Sequence, residues 1–257
     1  MEFKLLQDIA LTDMAKTFNR AFSDYVVPLQ LSEEQLAKKI KNDGINLKIS
    51  AGAFEDNELI GFILHGEGHF NGIRTVYNGG TGVIPLKRGN KITEQLYEFV
   101  LPALKEAQFE QCLLEVISSN GRAVKVYENL GFERTRELIC FKGPVIKETT
   151  PLLESVSLNE PETLNPTIFK DFCDWMPSWQ NSTEAIERAS DDLRIITAEK
   201  EEEPVAFIIY NPQAARISQF AVKQEYRNQG FGTLLFQELQ KRLKKDISQL
   251  NIDAKAR

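Results

Sequence analysis

The chain has 257 residues, 42% of them hydrophobic and 26% charged, and a formal net charge of −6. This length suggests one or two domains, and the composition is typical of a globular protein. No apolar run approaches the roughly 18 residues of a membrane helix, and the negative charge argues against binding to nucleic acid phosphates. The N-terminal stretch "MEFKLLQDIALTD" lacks the basic and apolar regions of a secretory signal, so we expect a cytoplasmic protein with a small-molecule partner.

The first part of the chain alternates strand and helix patterns, which predicts an α/β fold. Strands are predicted by short apolar or alternating runs at residues 3–7, 47–54, 58–66, 74–84 and 111–119. Helices are predicted at residues 11–22, 32–43, 92–108 and 121–130. The second helix begins at Ser32, which can form a capping box with Gln35, and the third carries Leu96, Val100 and Leu104 on one face.

From about residue 144 the sequence loses clear periodicity and becomes rich in Pro, Thr, Ser and Glu. We interpret this change as a boundary between a first domain of residues 1–143 and a second domain of residues 144–257. The second domain starts with a helical, tryptophan-bearing segment at about 165–190. It continues with strand patterns at residues 193–199, 204–211 and 215–222, and the acidic run "EKEEE" predicts a hairpin turn. The second domain thus repeats the order of the first.

The two halves also share a local pattern at one strand-to-helix junction. The stretches "TGVIPLKRGNKIT" (81–93) and "FAVKQEYRNQGFG" (220–232) both run from a strand through a basic loop into a helix. A helix N-terminus offers unpaired N–H groups and the positive end of the helix dipole, which together bind phosphate. Gly230 and Gly232 allow the backbone to approach an anion closely, so the second loop predicts a pyrophosphate site. A plain strand-to-helix turn is the alternative interpretation.

Two motifs in this chain resemble those of the GNAT superfamily of N-acetyltransferases. The pattern R-x-x-G-x-G in "EYRNQGFGTLLF" (225–236) resembles the superfamily's acyl-CoA pyrophosphate loop, and "NGRAVKVYENLGF" (120–132) resembles a later motif. The resemblance implies a tandem α/β protein in which each domain has a mixed, mostly antiparallel sheet flanked by helices. It implies that the first domain is complete and that the second is incomplete at its C-terminus.

The resemblance also implies cofactor-binding residues in both halves. These are Val83, Arg88, Gly89, Asn90, Lys91, Ile92, Thr93 and Asn120 in the first half, and Val222, Arg227, Asn228, Gln229, Gly230, Phe231 and Gly232 in the second. The first loop departs from the family pattern, because Lys91 and Thr93 fill both glycine positions. The second half keeps the glycines but has no tyrosine-bearing helix after them. Asn120 can line the cofactor or only cap the helix that follows it.

Acetyl transfer to an amine needs a neutral amine and stabilisation of the departing thiolate. By the resemblance, a backbone N–H near Val83 faces the acyl oxygen and Tyr127 donates a hydrogen bond toward the sulfur. Glu115 is a further candidate base if burial raises its pKa, although a carboxylate on the exposed face of a strand is commoner. Tyr25 and Pro28 lie where the family builds its acceptor wall, so Tyr25 is expected to contact substrate.

We therefore expect an enzyme that uses acetyl-CoA to acylate a small-molecule or peptide amine, and the resemblance is compatible with a homodimer. A non-catalytic CoA-binding or interaction module is the alternative. A third reading is a metal enzyme built on "HGEGH", which places His65, Glu67 and His69 on one strand face. The intervening glycines favour a bent hairpin end, and the three scattered cysteines show no zinc or disulfide spacing, so no metal is expected.

Overall fold

The computed structural model describes residues 1–25, 27, 29–145, 153, 155–162 and 171–256. The chain divides into two compact units, Met1–Glu133 and Arg134–Arg257, each with its own sheet. Both units combine a mixed, mostly antiparallel sheet with helices, so the predicted α/β class is confirmed. None of the helices in the described part of the chain is long and apolar enough to span a membrane.

The first unit contains every element predicted for it. Its strands are β1 (Glu2–Leu5), β2 (Ala51–Glu55), β3 (Glu58–Phe70), β4 (Ile73–Val83) and β5 (Gln111–Leu114), in the sheet order β1-β2-β3-β4-β5. Its helices are α1 (Leu11–Ala21), α2 (Glu33–Asp43), α3 (Ile92–Glu106) and α4 (Gly121–Asn129). Neighbouring strands are antiparallel except for β4 and β5, which are parallel. The predicted capping box of α2 forms, because Ser32 and Gln35 exchange side-chain to backbone hydrogen bonds.

Two apolar layers hold the helices of the first unit on its sheet. Phe18 of α1 packs against Phe62 of β3 in one layer. In the other layer, the predicted face of α3 with Leu96, Val100 and Leu104 is fully buried. Each such side chain stabilises the fold by about 2 kcal/mol through its removal from water.

The second unit has a six-stranded sheet. Its strands are β6 (Leu138–Gly143), β7 (Val156–Asn159), β8 (Arg194–Lys200), β9 (Glu203–Asn211), β10 (Arg216–Val222) and β11 (Ile247–Asp253), in the order β6-β11-β10-β9-β8-β7. Its helices are α5 (Thr183–Arg188) and α6 (Phe231–Leu243). Strands β10 and β11 are parallel, and the apolar face of α6 packs on the sheet. The acidic run is a turn between β8 and β9, as predicted.

The second unit differs from the sequence prediction in three places. Strands β6 and β7 lie where no strand was predicted. Because β6 pairs with β11, the compact units divide after Glu133, earlier than the predicted boundary after residue 143. The predicted helix at 165–190 is wrong for residues 171–182, which form turns and short 3-10 segments, since Pro177 cannot continue a helix and Trp179 is drawn into the core. Residues 163–170 of that prediction lie outside the described residues.

Candidate functional site

The basic loops of the two units have the same backbone conformation. In the first basic loop (residues 88–91), Gly89 and Lys91 have φ of 82° and 55°. In the second basic loop (residues 227–230), the corresponding Asn228 and Gly230 have φ of 58° and 96°. Lys91 therefore adopts the left-handed conformation that the family pattern reserves for glycine, so the first loop keeps its shape despite the substitution.

Both basic loops open directly into a helix whose first N–H groups are not used within the helix. The first intrahelical bond of α3 runs from Gln95 N to Lys91 O, and that of α6 runs from Leu234 N to Gly230 O, both at 3.0 Å. Among the described residues, no side chain caps either helix start. The N–H groups of residues 92–94 and 231–233 are therefore the donors that could bind an anion, with the helix dipole behind them.

Arg88 is turned toward the scaffold of its own loop. Its Nε donates to Val83 O at 3.1 Å, and its two Nη atoms each donate to an oxygen of Asp24 at 2.7 Å. Nη2 also donates to Ala21 O at 2.7 Å. The hydrogen bond from Arg88 lowers the pKa of the Asp24 carboxyl, and the guanidinium charge lowers it further. These contacts make Arg88 a support for the loop.

Arg227 repeats the same set of contacts in the second unit. Its Nε donates to Val222 O at 3.0 Å, and its Nη2 donates to Phe172 O at 3.2 Å. The Asp174 carboxylate accepts from both Nη atoms, at 2.6 and 3.1 Å. Each arginine thus joins the end of a strand to a carboxylate and a carbonyl from an earlier segment of its own unit. We call these contacts the Arg88 clamp and the Arg227 clamp.

The sheet of the first unit opens beside its basic loop. Strands β4 and β5 pair from Thr75 and Gln111 to Asn78 and Leu114, where β5 ends, while β4 continues to Val83. We call the gap that follows the β4–β5 opening. A β-bulge at Gly79 bends β4 at the same place. In the second unit, β10 and β11 pair at Arg216–Gln249 and Ile217–Leu250, and a bulge again follows the last pair.

The backbone N–H of Val83 points into the β4–β5 opening. The next residue, Ile84, donates its N–H to Ile60 O of β3 at 3.0 Å. Because successive N–H groups of a strand point to opposite sides, the N–H of Val83 is directed away from β3. Lys223 donates to Val205 O at 2.9 Å, so the N–H of Val222 in the second unit is directed away from β9 in the same way.

A buried polar cluster lines the opening of the first unit. Asn78 Nδ2 donates to Thr81 Oγ1 at 2.7 Å and to Tyr97 Oη at 2.8 Å, and its Oδ1 accepts from Gly80 N at 3.0 Å. Tyr127 packs against the apolar cluster that includes Leu96, and Thr81 and Asn78 both act on its hydroxyl, lowering its pKa against the larger effect of burial. The fold thus brings Tyr127 from α4 to the same strand that carries Val83.

The environment of Tyr127 keeps its hydroxyl protonated. Burial raises the pKa of Tyr127, the contacts with Thr81 and Asn78 lower it in part, and nearby Tyr25 raises it. Burial also raises the pKa of Tyr97 well above its ordinary value, and this hydroxyl accepts the hydrogen bond from Asn78. Tyr127 is therefore suited to donating a proton or a hydrogen bond, and Tyr97 to holding the cluster in place.

The remaining residues expected at the site have varied surroundings. Tyr25 packs edge-on against Phe22, with ring centroids 5.3 Å apart, and Pro28 lies outside the described residues. Glu115 is exposed after the end of β5, so it lacks the burial on which its candidate role as a base depended. Asn120 caps α4, because its Oδ1 accepts from the N–H of Ala123 at 3.2 Å.

Two residues of "HGEGH", His65 and Glu67, have hydrogen-bond partners within the first unit. His65 is buried, and its Nδ1 donates to Ile49 O at 2.8 Å, while burial lowers the pKa of the ring to about 4. Glu67 accepts a hydrogen bond from Asn46 at 2.7 Å. In the described part of the chain, no group of three His, Cys, Asp or Glu side chains is placed to hold a metal ion.

The two units differ in side-chain volume beside the loop. In the second unit, a Cβ added to Gly232 would lie 3.3 Å from Phe220 Cζ, and the Phe220 ring packs against Phe236 at a centroid distance of 4.9 Å. The corresponding positions of the first unit hold Thr93 and Thr81. Because Gly232 has no side chain, it leaves space for the Phe220 ring. In the first unit the smaller Thr81 stands in place of Phe220, so residue 93 can carry a side chain.

Five residues of these arrangements were missed by sequence reasoning: Asp24, Asn78, Thr81, Tyr97 and Asp174. The paired glycines after Asn78 were a usable signal, since adjacent glycines in a strand mark a bulge. Tyr97 looked like an ordinary core position of α3.

Two surface cavities, of about 530 and 340 Å³, lie along the end of α2 and beside residues 84–86, and neither includes a basic loop.

Comparison with known proteins identifies one family. The model of the acetyltransferase (GNAT) family matches residues 11–132 and 159–256. A search of curated protein sequences gave no significant match.

Several solved structures share the fold of the whole chain. A tandem GNAT protein from the clavulanic acid biosynthesis pathway aligns with a TM-score of 0.72 at 11% identity, covering 100% of this chain and 91% of that one. A GCN5-related N-acetyltransferase from Sphaerobacter thermophilus has a TM-score of 0.69 at 14% identity, covering 96% and 84%. Another, from Anabaena variabilis, has a TM-score of 0.62 at 14% identity, covering 99% and 66%. At such identities the likeness shows the fold alone.

Proposed function

Because the chain belongs to the acetyltransferase (GNAT) family, we propose that it transfers an acetyl group from acetyl-CoA to an amine. One observation carries this proposal. The first unit gathers three kinds of donor around the β4–β5 opening: the free N–H groups at the start of α3, the N–H of Val83, and the Tyr127 hydroxyl. These are the groups that acyl transfer from a CoA thioester requires.

Each donor has a separate task in the proposed reaction. Acetyl-CoA supplies the acyl group as an activated thioester. The N–H groups of residues 92–94 and the charge of Lys91 bind its pyrophosphate. The N–H of Val83 donates to the acyl oxygen, where negative charge develops as the amine attacks. Tyr127 donates to the sulfur as the thiolate leaves, which stabilises the negative charge that develops on the sulfur.

The proton of the attacking amine needs a separate acceptor. A lysine-like amine has a pKa of about 10.4, so it must lose a proton before it attacks. Glu115 is exposed, and we propose that solvent takes this proton, directly or through Glu115. We propose that the acceptor is a small-molecule or peptide amine that approaches the opening past Tyr25. We propose the cytoplasm as the compartment, because acetyl-CoA is available there.

We propose that catalysis belongs to the first unit. In the second unit, Phe220 occupies the position of Thr81, so the polar cluster that supports Tyr127 has no counterpart there. The second unit keeps the loop, the αL glycine and the directed N–H of Val222. Non-catalytic binding of CoA is therefore the second candidate function. The geometry of the second basic loop favours this function for the second unit.

An assay of thiol release from acetyl-CoA over a broad panel of amines tests the proposed function. Acetylated product from at least one amine, lost in Tyr127→Phe and retained in Tyr226→Phe, would support it. Tyr226 is a suitable control because it precedes the second basic loop and packs against Phe231. Binding of acetyl-CoA in an isothermal titration, without transfer to any amine, would favour the non-catalytic module. Absence of binding would exclude both proposed functions.

A further inference from the structure

We infer that Asp24 is a positioning residue, which holds the cofactor loop in shape through Arg88 and ties it to the segment that carries Tyr25. This inference rests on the proposed function for its kinetic consequence. Its structural part concerns the unliganded protein and can be tested separately.

The Arg88 clamp fixes the loop from outside. The guanidinium donates to both oxygens of Asp24, to Ala21 O and to Val83 O, which uses four of its five N–H donors. Paired, charge-assisted bonds of this kind fix an orientation as well as contributing energy. Asp24 is half-exposed, with 55% of its side chain accessible, so its effect lies in geometry more than in global stability.

The first basic loop needs such support because its conformation is intrinsically unfavourable. Lys91 has a φ of 55°, a left-handed conformation that residues with a Cβ adopt only at an energetic cost. Arg88 is only three residues before Lys91. Without the Asp24 carboxylate, the loop would therefore adopt other conformations, in which the N–H groups of residues 92–94 no longer converge.

Asp24 also connects the loop with the acceptor side of the opening. Tyr25 follows it directly, packs on Phe22 and influences the pKa of Tyr127. The clamp thus joins three parts of the proposed site: the pyrophosphate loop, the end of β4 and the aromatic segment after α1. Cofactor binding that orders the loop would at the same time order the segment that meets the amine.

The repeat of the clamp in the second unit argues against a chance surface pair. Arg227 uses the same atoms for the same three kinds of acceptor, with Asp174 in place of Asp24. Asp174 lies in "DFCDW" (171–175), which matches "AFSDY" (21–25) at its Phe and Asp and carries an aromatic residue in the next position. The carboxylate that meets the loop arginine therefore stands in the same short sequence pattern in both units.

The test compares Asp24→Asn, Asp24→Glu, Asp174→Asn and a control, Asp13→Asn, all in the full chain. Asp13 is an exposed acid in the first turn of α1. In the unliganded protein, hydrogen exchange of the hydrogen-bonded amides that flank the loop, those of Arg88 and Gln95, should accelerate roughly tenfold in Asp24→Asn, and that of the amides of Arg227 and Leu234 in Asp174→Asn. In kinetics, Asp24→Asn should raise KM for acetyl-CoA about tenfold with kcat changed less than twofold, and Asp24→Glu should restore part of the loss.

Each outcome separates the inference from the proposed function. Unchanged exchange of the Arg88 and Gln95 amides in Asp24→Asn would overturn the inference, whether or not the wild type binds acetyl-CoA. Faster exchange with an unchanged KM would overturn its kinetic part. Failure of the wild type to bind acetyl-CoA, together with the expected change in exchange, would overturn the proposed function and leave the positioning role of Asp24 supported.

Discussion

Tyr127 carries the chemical part of the proposal, and its protonation state follows from what surrounds it. Burial raises its pKa above the ordinary value of 10.0, while Thr81 and Asn78 offset part of that effect. A group that donates must be protonated. Since the pKa in the folded protein is raised, the donor form persists through neutral and mildly alkaline pH and is lost only above about pH 10.

We predict that Tyr127→Phe lowers kcat roughly 100-fold and leaves KM for acetyl-CoA within about twofold, because it removes a donor that acts mainly as the sulfur departs. Steady-state rates of thiol release measure both constants. Tyr226→Phe should leave kcat unchanged. An unaltered kcat in Tyr127→Phe would show that another group assists the leaving thiolate.

His65 provides a test of the first unit's core through pH. Burial lowers the pKa of His65 to about 4 from an ordinary 6.5, so the unfolded chain binds the proton more tightly. Stability should therefore fall as pH decreases through the window from 6.5 to 4, by about 2 kcal/mol from this one group at pH 5. Urea unfolding at pH 7 and pH 5 measures the loss.

The matched variants for this prediction are His65→Asn and His69→Asn, since His69 is exposed on the same strand. His65→Asn should be less stable at pH 7 but should lose less between pH 7 and pH 5 than the wild type. His69→Asn should follow the wild type at both. Equal losses in the wild type and His65→Asn would mean that His65 does not titrate as its burial indicates.

At the level of single residues, sequence reasoning proposed Val83 and Tyr127 from the family resemblance, because each lies in a stretch that resembles a family motif. It missed Asp24, because an acid in a loop has no periodic signature and its partner is distant in sequence; the repeat of "AFSDY" (21–25) as "DFCDW" (171–175) was the usable signal. Asn78 and Tyr97 were missed for a related reason: their hydrogen bond exists only once α3 lies on β4. Side-chain pairs of this kind are properties of packing.

Among the elements, the two strand-to-helix junctions show how one backbone can carry two side-chain sets. In the second unit Gly232 lies beside Phe220. In the first unit Thr93 corresponds to Gly232 and Thr81 corresponds to Phe220. The sequence pattern marked Lys91 and Thr93 as departures from the family. Residue 91 keeps the αL conformation, and the size of residue 93 is matched by that of residue 81.

We predict that Gly232→Thr destabilises the protein by about 1–2 kcal/mol, because its Cβ and further atoms would meet the Phe220 ring. Adding Phe220→Thr should reduce the penalty of Gly232→Thr, giving a coupling of at least about 0.5 kcal/mol in a double-mutant cycle measured by urea unfolding. Gly121→Thr is the control, since a Cβ there meets nothing within 4 Å. Additive effects of the two substitutions would contradict the proposed exchange of volume.

Element boundaries were predicted best where a local signal fixed them. Ser32 and Gln35 marked the start of α2, and the apolar face of α3 was visible in its spacing. Strand β6 was missed because its partner, β11, lies more than a hundred residues later in the chain, and nothing in the local sequence specifies that pairing. The helix predicted from residue 165 did not allow for Pro177.

At the scale of the whole molecule, the chain consists of two units built on one pattern, each with an opening in its sheet, a basic loop and a helix start that is free to bind an anion. The tandem organisation was predictable because the same order of elements occurs twice. The assignment of catalysis to the first unit was not, because it depends on the polar cluster of Asn78, Thr81 and Tyr97 and on the arrival of Tyr127 beside it.

The two openings make different predictions for cofactor stoichiometry. An acidic side chain in a basic loop should repel the diphosphate and weaken binding at that loop at least about tenfold. Lys91→Asp should therefore lower the rate of acetyl transfer at sub-saturating acetyl-CoA at least about tenfold in the full chain. Gln229→Asp, which places an acid in the second loop one position before Gly230, the counterpart of Lys91, should leave acetyl transfer intact whether or not the second unit binds CoA. Loss of transfer in Gln229→Asp alone would place catalysis in the second unit.

Isothermal titration of the full-length protein with acetyl-CoA tests the central claim most directly, since that claim is that the N–H groups at the start of α3 bind a diphosphate. We predict saturable binding by the wild type, with the site of the first unit lost in Lys91→Asp and preserved in Gln229→Asp. Absence of binding by the wild type, or binding that Lys91→Asp leaves unchanged, would contradict the account.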